Sequence, residues 1–229
     1  MRRRRVSGAK RARGRATAAA AALAAVIVLA VSLAASRAAA PAILLVLGDS
    51  LVAGYGLAAA DAFPQRLEAA LAAHGYSVRV VNGGVSGDTS ADGRARLEWA
   101  LADRPRFAIV ELGANDALRG LDPALTYANL DAILDTLGKR GVRVLLAGMK
   151  APRNLGGEYA RAFDSVYPRL SEKYKVALYP FFLDGVALHP DLLQQDGLHP
   201  NPKGVAVIVR HILPAVETLL GPAGREATK

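Results

Sequence analysis

The stretch Ile43-Leu44-Leu45-Val46-Leu47-Gly48-Asp49-Ser50-Leu51 passes from five consecutive apolar residues to a glycine followed by two polar side chains. A run that is apolar on both faces of the pleat suits a strand covered on both sides, as in a parallel sheet between helices. The change at Gly48 puts polar groups just past the carboxyl end of that strand, which is where open α/β sheets bind ligands.

Working outward, apolar or β-branched runs alternate with helical periodicity. Strands are expected at Ile43–Leu47, Ser77–Asn82, Phe107–Glu111, Val142–Met149 and Ala177–Tyr179. Helices are expected at Phe63–His74, Ala91–Ala102, Pro123–Arg140, Tyr159–Tyr174 and Pro202–Leu220. This alternation predicts an α/β fold with a central parallel sheet covered on both faces. Glycines that follow His74 and Arg140 mark two helix ends. One domain is expected over residues 41–220, with a frayed tail from Gly221 to Lys229.

The chain has 229 residues and a formal net charge of +9. Residues 1–37 hold nine of its 29 basic side chains and no acid, so the remainder carries 20 of each sign. Nucleic-acid binding is therefore set aside: it needs clustered surplus Lys and Arg on the folded domain. The bases are followed by the Ala-rich apolar run Ala16–Ala35, the pattern of a secretory leader over residues 1–38. Cleavage after Ala38 would use Ser36 and Ala38 as the two small residues, and the alternative is an uncleaved membrane anchor. Either reading exports the domain to a periplasmic or extracellular location, with membrane contact only through a retained leader. With no cysteine, disulfides, thiolate metal sites and a cysteine nucleophile are excluded.

Four loops at the expected strand ends or before the last helix carry unusual residues: Gly48-Asp49-Ser50-Leu51, Asn82–Ser90, Gly113-Ala114-Asn115-Asp116 and Asp196-Gly197-Leu198-His199-Pro200. A serine hydroxyl becomes a nucleophile only beside a base. His74 reads as a helix-end residue and His211 as part of the last helix, which leaves two copies of Leu-His-Pro, at 188–190 and 198–200. His199 has Asp196 three residues upstream, close enough to accept its Nδ1 proton, whereas Asp184 lies five residues before His189. Gly87 and Asn115 offer a backbone and a side-chain amide to an oxyanion.

These motifs, in this order and spacing, resemble the SGNH or GDSL hydrolase superfamily, in particular its exported thioesterase I, protease I, lysophospholipase L1 or arylesterase branch. The resemblance covers about Ile43 to Leu220. It implies a three-layer αβα sandwich similar to flavodoxin and a serine esterase with no metal or organic cofactor. It also implies Ser50 as nucleophile, His199 and Asp196 as its partners, and Ser50, Gly87 and Asn115 as oxyanion donors. Aryl esters, acyl thioesters or lysophospholipids are the implied small-molecule substrates. Lys150 departs from the neutral polar residue expected at its position.

Leu118, Leu121, Pro152, Leu155 and Tyr159 border the inferred site and are expected to contact the acyl group. Two rival readings are weighed. Gly54-x-Gly56-x-x-Ala59 matches a dinucleotide fingerprint, but it begins seven residues past Leu47 and lacks an acid at the end of the second strand. A ligand-binding domain on the same fold would have no use for nucleophile, base, orienting acid and donors together. A monomer is the working default.

Overall fold

A computed structural model describes residues 41–225, and the leader expected over residues 1–38 lies outside them. Five strands, β1 (Ala42–Gly48), β2 (Val78–Gly84), β3 (Phe107–Glu111), β4 (Arg143–Ala147) and β5 (Ala177–Tyr179), form one parallel sheet in the order β2-β1-β3-β4-β5. The register pairs Leu45 with Val81 on one side and with Ala108 on the other. β1 is thus an interior strand, paired on both sides as its continuous apolar run predicts, with Leu44–Gly48 buried.

The helices are α1 (Ser50–Ala53), α2 (Phe63–Ala73), α3 (Ser90–Ala95), α4 (Leu97–Ala100), α5 (Ala114–Leu118), α6 (Pro123–Lys139), α7 (Gly157–Asp164), α8 (Val166–Tyr174) and α9 (Pro202–Leu220). α2 and α9 pack together on one face, and α6 packs with α3 and α8 on the other. Phe63, Leu67 and Leu71 recur every four residues on α2, and Phe63 meets Phe182 edge to face at 5.0 Å. Burying each such side chain contributes about 2 kcal/mol. α9 is long and apolar, but its buried stripe from Val205 to Leu220 makes it a core helix.

Two expected helices are each divided in two. The break at Arg96 lets its side chain reach inward to Asp88 Oδ2 at 2.5 Å and the Gly48 carbonyl at 2.9 Å. The other break follows Asp164, whose carbonyl would need an amide hydrogen that Pro168 lacks. Residues 221–225, expected as part of a frayed tail, are held. Ser77 donates to the Gly224 carbonyl at 2.8 Å and the Arg225 guanidinium lies 4.7 Å over the Tyr76 ring, so residues 221–225 are tied to the domain.

The order β2-β1-β3 reverses chain direction across the sheet at β1, so the loops after β1 and β3 diverge to opposite faces and open a crevice. Ser50 stands at one lip and Asn115 at the other.

Candidate active site

Ser50 is the first residue of α1, directly past β1. Asp49 caps the helix, its Oδ1 accepting from the Leu51 amide at 3.0 Å, while Gly54 at φ 81° ends it after one turn. This turn leaves the Ser50 amide without a partner inside the helix, at a residue that lines the crevice. A Cβ at Gly48 would lie 2.3 Å from Val52 Cγ2 and 2.7 Å from Glu111 Oε2. The missing side chain therefore serves close packing beneath the turn rather than the approach of substrate.

His199 reaches the same place from the loop before α9. Its Nε2 lies 2.9 Å from Ser50 Oγ and its Nδ1 lies 2.6 Å from Asp196 Oδ2. Asp196 Oδ1 accepts from the amides of His199 at 3.0 Å and Leu198 at 2.9 Å. Those amides, that of His199 foremost, pull the Asp196 carboxyl down to about 2. An ionised Asp196 fixes the proton on Nδ1 and leaves Nε2 to accept from the serine hydroxyl. The Tyr55 ring lies against the imidazole with centroids 4.6 Å apart.

On the far side, Gly87 lines the same crevice at φ 89°, with no atom within 4 Å of the place a Cβ would take. Asn115 Nδ2 donates to the Asp88 carbonyl at 2.9 Å and to Asp49 Oδ2 at 3.1 Å. The expected nucleophile, base, acid and amide donors thus converge from four loops on one crevice.

Beneath them lie two carboxyl groups that the sequence reading did not single out. Burial pushes fully buried Asp49 up to about 6 against the opposing pull of the Leu51 amide. Glu111 is also wholly buried, its carboxyl has no hydrogen-bond partner, and burial raises it well above the usual carboxylate range. Asp116, next to Asn115, accepts from the Ser90 amide at 2.8 Å and from Thr126 Oγ1 at 3.1 Å, which locks the loops after β2 and β3 together. Its place in Gly113-x-Asn115-Asp116 was a visible signal. Glu111, the last residue of an apolar strand, gave none.

The crevice opens into a cavity of about 660 Å³ lined by Ser50, Gly87, Asn115 and His199 with Leu118, Met149, Pro152, Phe181, Leu183, Leu188 and Leu193. Of the five expected acyl contacts, Leu118 and Pro152 line it and Leu121, Leu155 and Tyr159 do not. The Tyr159 hydroxyl instead donates to the Leu121 carbonyl at 2.8 Å and its ring stacks on Phe163, which ties α7 to the loop before α6. Leu155 sits in an exposed 3-10 turn. Lys150 stands in the lining, with its ammonium 4.9 Å over the Phe181 ring.

The glycines of the dinucleotide-like pattern have structural uses. Gly54 caps α1, and a Cβ at Gly56 would meet Gln194 Oε1 at 2.2 Å. Among the described residues, no group of three or more His, Asp or Glu side chains is placed to hold a metal ion.

Residues 46–207 match the GDSL-like lipase/acylhydrolase family. The chain is 42% identical over 161 residues to an arylesterase of Vibrio mimicus, covering 70% of this chain and 80% of that protein. It is 43% identical over 166 residues to thioesterase 1/protease 1/lysophospholipase L1 of Escherichia coli strain K12, covering 72% and 78%. The solved structure of AlinE4, an SGNH-hydrolase family esterase, superposes with a TM-score of 0.67 at 49% identity, covering 79% of this chain and 97% of that one.

Proposed function

The chain belongs to the GDSL-like lipase/acylhydrolase family and is an ester hydrolase, and from that premise we propose that Ser50 is its nucleophile, His199 its general base and acid, and Asp196 the group that orients His199. The observation that carries this reading is the unbroken contact chain from Ser50 Oγ to His199 at 2.9 Å and from His199 to Asp196 at 2.6 Å.

Ser50 Oγ attacks the carbonyl carbon while its proton passes to His199 Nε2. The carbonyl oxygen, now an anion, is held by the Ser50 and Gly87 amides and the Asn115 side chain. The longer Asn115 contact, 3.1 Å to Asp49, is the one the oxyanion replaces. Collapse expels the alcohol or thiol, which takes the proton from His199, and leaves Ser50 acylated. Water, deprotonated by the same histidine, then releases the acid. Asp49 and Glu111 stay below this path and shape the turn that presents Ser50.

The apolar cavity supports a substrate with a hydrocarbon acyl chain: an aryl ester, an acyl thioester or a lysophospholipid. Residues 41–220 form the hydrolase domain. Residues 1–38 form an export leader cleaved after Ala38, a reading supported by nine bases followed by an apolar run. A mature protein that begins at Ala39 on N-terminal sequencing is the expected result, and a start at Met1 defeats cleavage. For the chemistry, a serine-directed phosphonate probe should label the protein and fail on Ser50→Ala. Labelling that persists in the variant would remove Ser50 from its role.

A further inference from the structure

The hydrolytic reading leaves one sequence feature unused, the first Leu-His-Pro copy at 188–190. Its leucine is 94% exposed and sits in left-handed backbone at φ 67°. That conformation is unfavourable for a branched side chain, and full exposure of a leucine forgoes burial. Arg104 and Lys175 share left-handed backbone, but of the three only Leu188 is a large apolar residue exposed at the cavity.

Leu188 lines the cavity that holds Ser50 and His199, together with Leu118 and Leu198, each 52% exposed, and Tyr55, 53% exposed. Four large apolar side chains thus share one opening and face water. Lys150 and Arg153, both exposed, stand on the same lining, whereas its one acid, Asp49, is fully buried. Arg153 is paired with Asp164 at 2.9 Å, and Lys150 has no ion-pair partner among the described residues. An apolar rim beside one ammonium without an ion-pair partner complements a hydrocarbon layer beneath anionic headgroups.

We infer that the mouth of this cavity docks on an anionic lipid–water surface, Leu188 and Leu198 entering the hydrocarbon boundary while Lys150 meets headgroup charge. The acyl chain then passes from the lipid layer to Ser50 without crossing bulk water. That last step rests on the ester-hydrolase reading above, whereas the docking itself does not.

The test uses the full chain as isolated, carrying Ser50→Ala to stop turnover, in flotation with vesicles of phosphatidylcholine alone or mixed with phosphatidylglycerol. Binding to the mixed vesicles is expected, and Leu188→Asp should weaken it about tenfold, the worth of one leucine withdrawn from hydrocarbon. Lys150→Ala should weaken it about fivefold on mixed vesicles and leave phosphatidylcholine unaffected. Leu125→Asp, on an exposed α6 residue away from the cavity, should change nothing. Leu198→Ser repeats the apolar test should Leu188→Asp fail to fold.

Absence of vesicle binding overturns docking and leaves the opening to soluble substrates or a protein partner. Binding that ignores Leu188→Asp overturns it as well, because a retained leader would give that result. Hydrolysis of a soluble aryl ester, lost in Ser50→Ala, is scored separately, so failure of docking and failure of the catalytic assignment remain distinct.

Discussion

Leu-His-Pro stands at 188–190 and again at 198–200, and the two histidines have opposite surroundings. Three residues before His199 is Asp196, whose two oxygens hold the His199 ring and the amides of Leu198 and His199. Three residues before His189 is Val186, whose side chain lies in the core. Asp184, the acid nearest before His189 in sequence, lies instead 3.5 Å from His211. His189 is exposed in a loop, while His199 is held between an acid and a serine. A histidine becomes a base through the acid that fixes its proton and the backbone turn that fixes the acid, and the tripeptide alone supplies neither.

The largest effects test this contrast directly. His199→Ala should lower kcat/KM for an aryl ester by at least about 10⁴-fold, and His189→Ala by no more than about twofold. Equal losses would abolish the distinction between the copies. Asp196→Asn gives the second copy the first copy's lack of an orienting carboxylate, and turnover should fall on the order of 10³- to 10⁴-fold with the fold intact. If turnover held, the 2.6 Å contact would be ornamental. A smaller loss is expected on the opposite side of Ser50. Asn115→Ala removes one oxyanion donor and should cost about 10²- to 10³-fold in kcat.

The contrast between the copies was legible in the sequence because it depends on spacing along one loop. So was the sheet, since β1 and β3 are apolar on both faces and alternate with helices whose caps are visible glycines. Contacts between distant segments were not legible. Tyr159 reads as an acyl contact from its place in the chain, yet its hydroxyl is taken by the Leu121 carbonyl. Arg96 lies in a helical pattern, and only the folded site shows why the helix breaks there, since its partners are Asp88 in the loop after β2 and Gly48 at the end of β1. Tyr55 lies against His199, ring planes tilted by 39°, across a long sequence separation that periodicity does not encode.

The smallest effect concerns the two acids on either side of Ser50, which differ as sharply as the two histidines. Asp196, partly exposed and hydrogen-bonded by amides, is pulled down to about 2, whereas Asp49, fully buried, is pushed up from 3.8 to about 6. Their effects on stability have opposite signs. The native state holds the Asp49 proton more tightly than the unfolded chain does. The stability linked to it is therefore complete below about pH 4 and is lost as pH rises through about 6, amounting to about 2 to 3 kcal/mol. The Asp196 contribution is present above its ordinary value and disappears only as pH falls toward about 2. Asp49→Asn keeps an acceptor for the Leu51 amide and removes the titration, so unfolding free energies of variant and parent should diverge in the variant's favour between pH 4 and 7. Asp196→Asn should track its parent across that interval and depart from it only at lower pH. Parallel curves for Asp49→Asn and its parent from pH 4 to 7 would mean that Asp49 is ionised as easily as an exposed acid. Asn115 would then face a full carboxylate from about pH 5 upward instead of only above about pH 7, and its hold on an oxyanion would have to compete with that charge across the acidic side of the range as well.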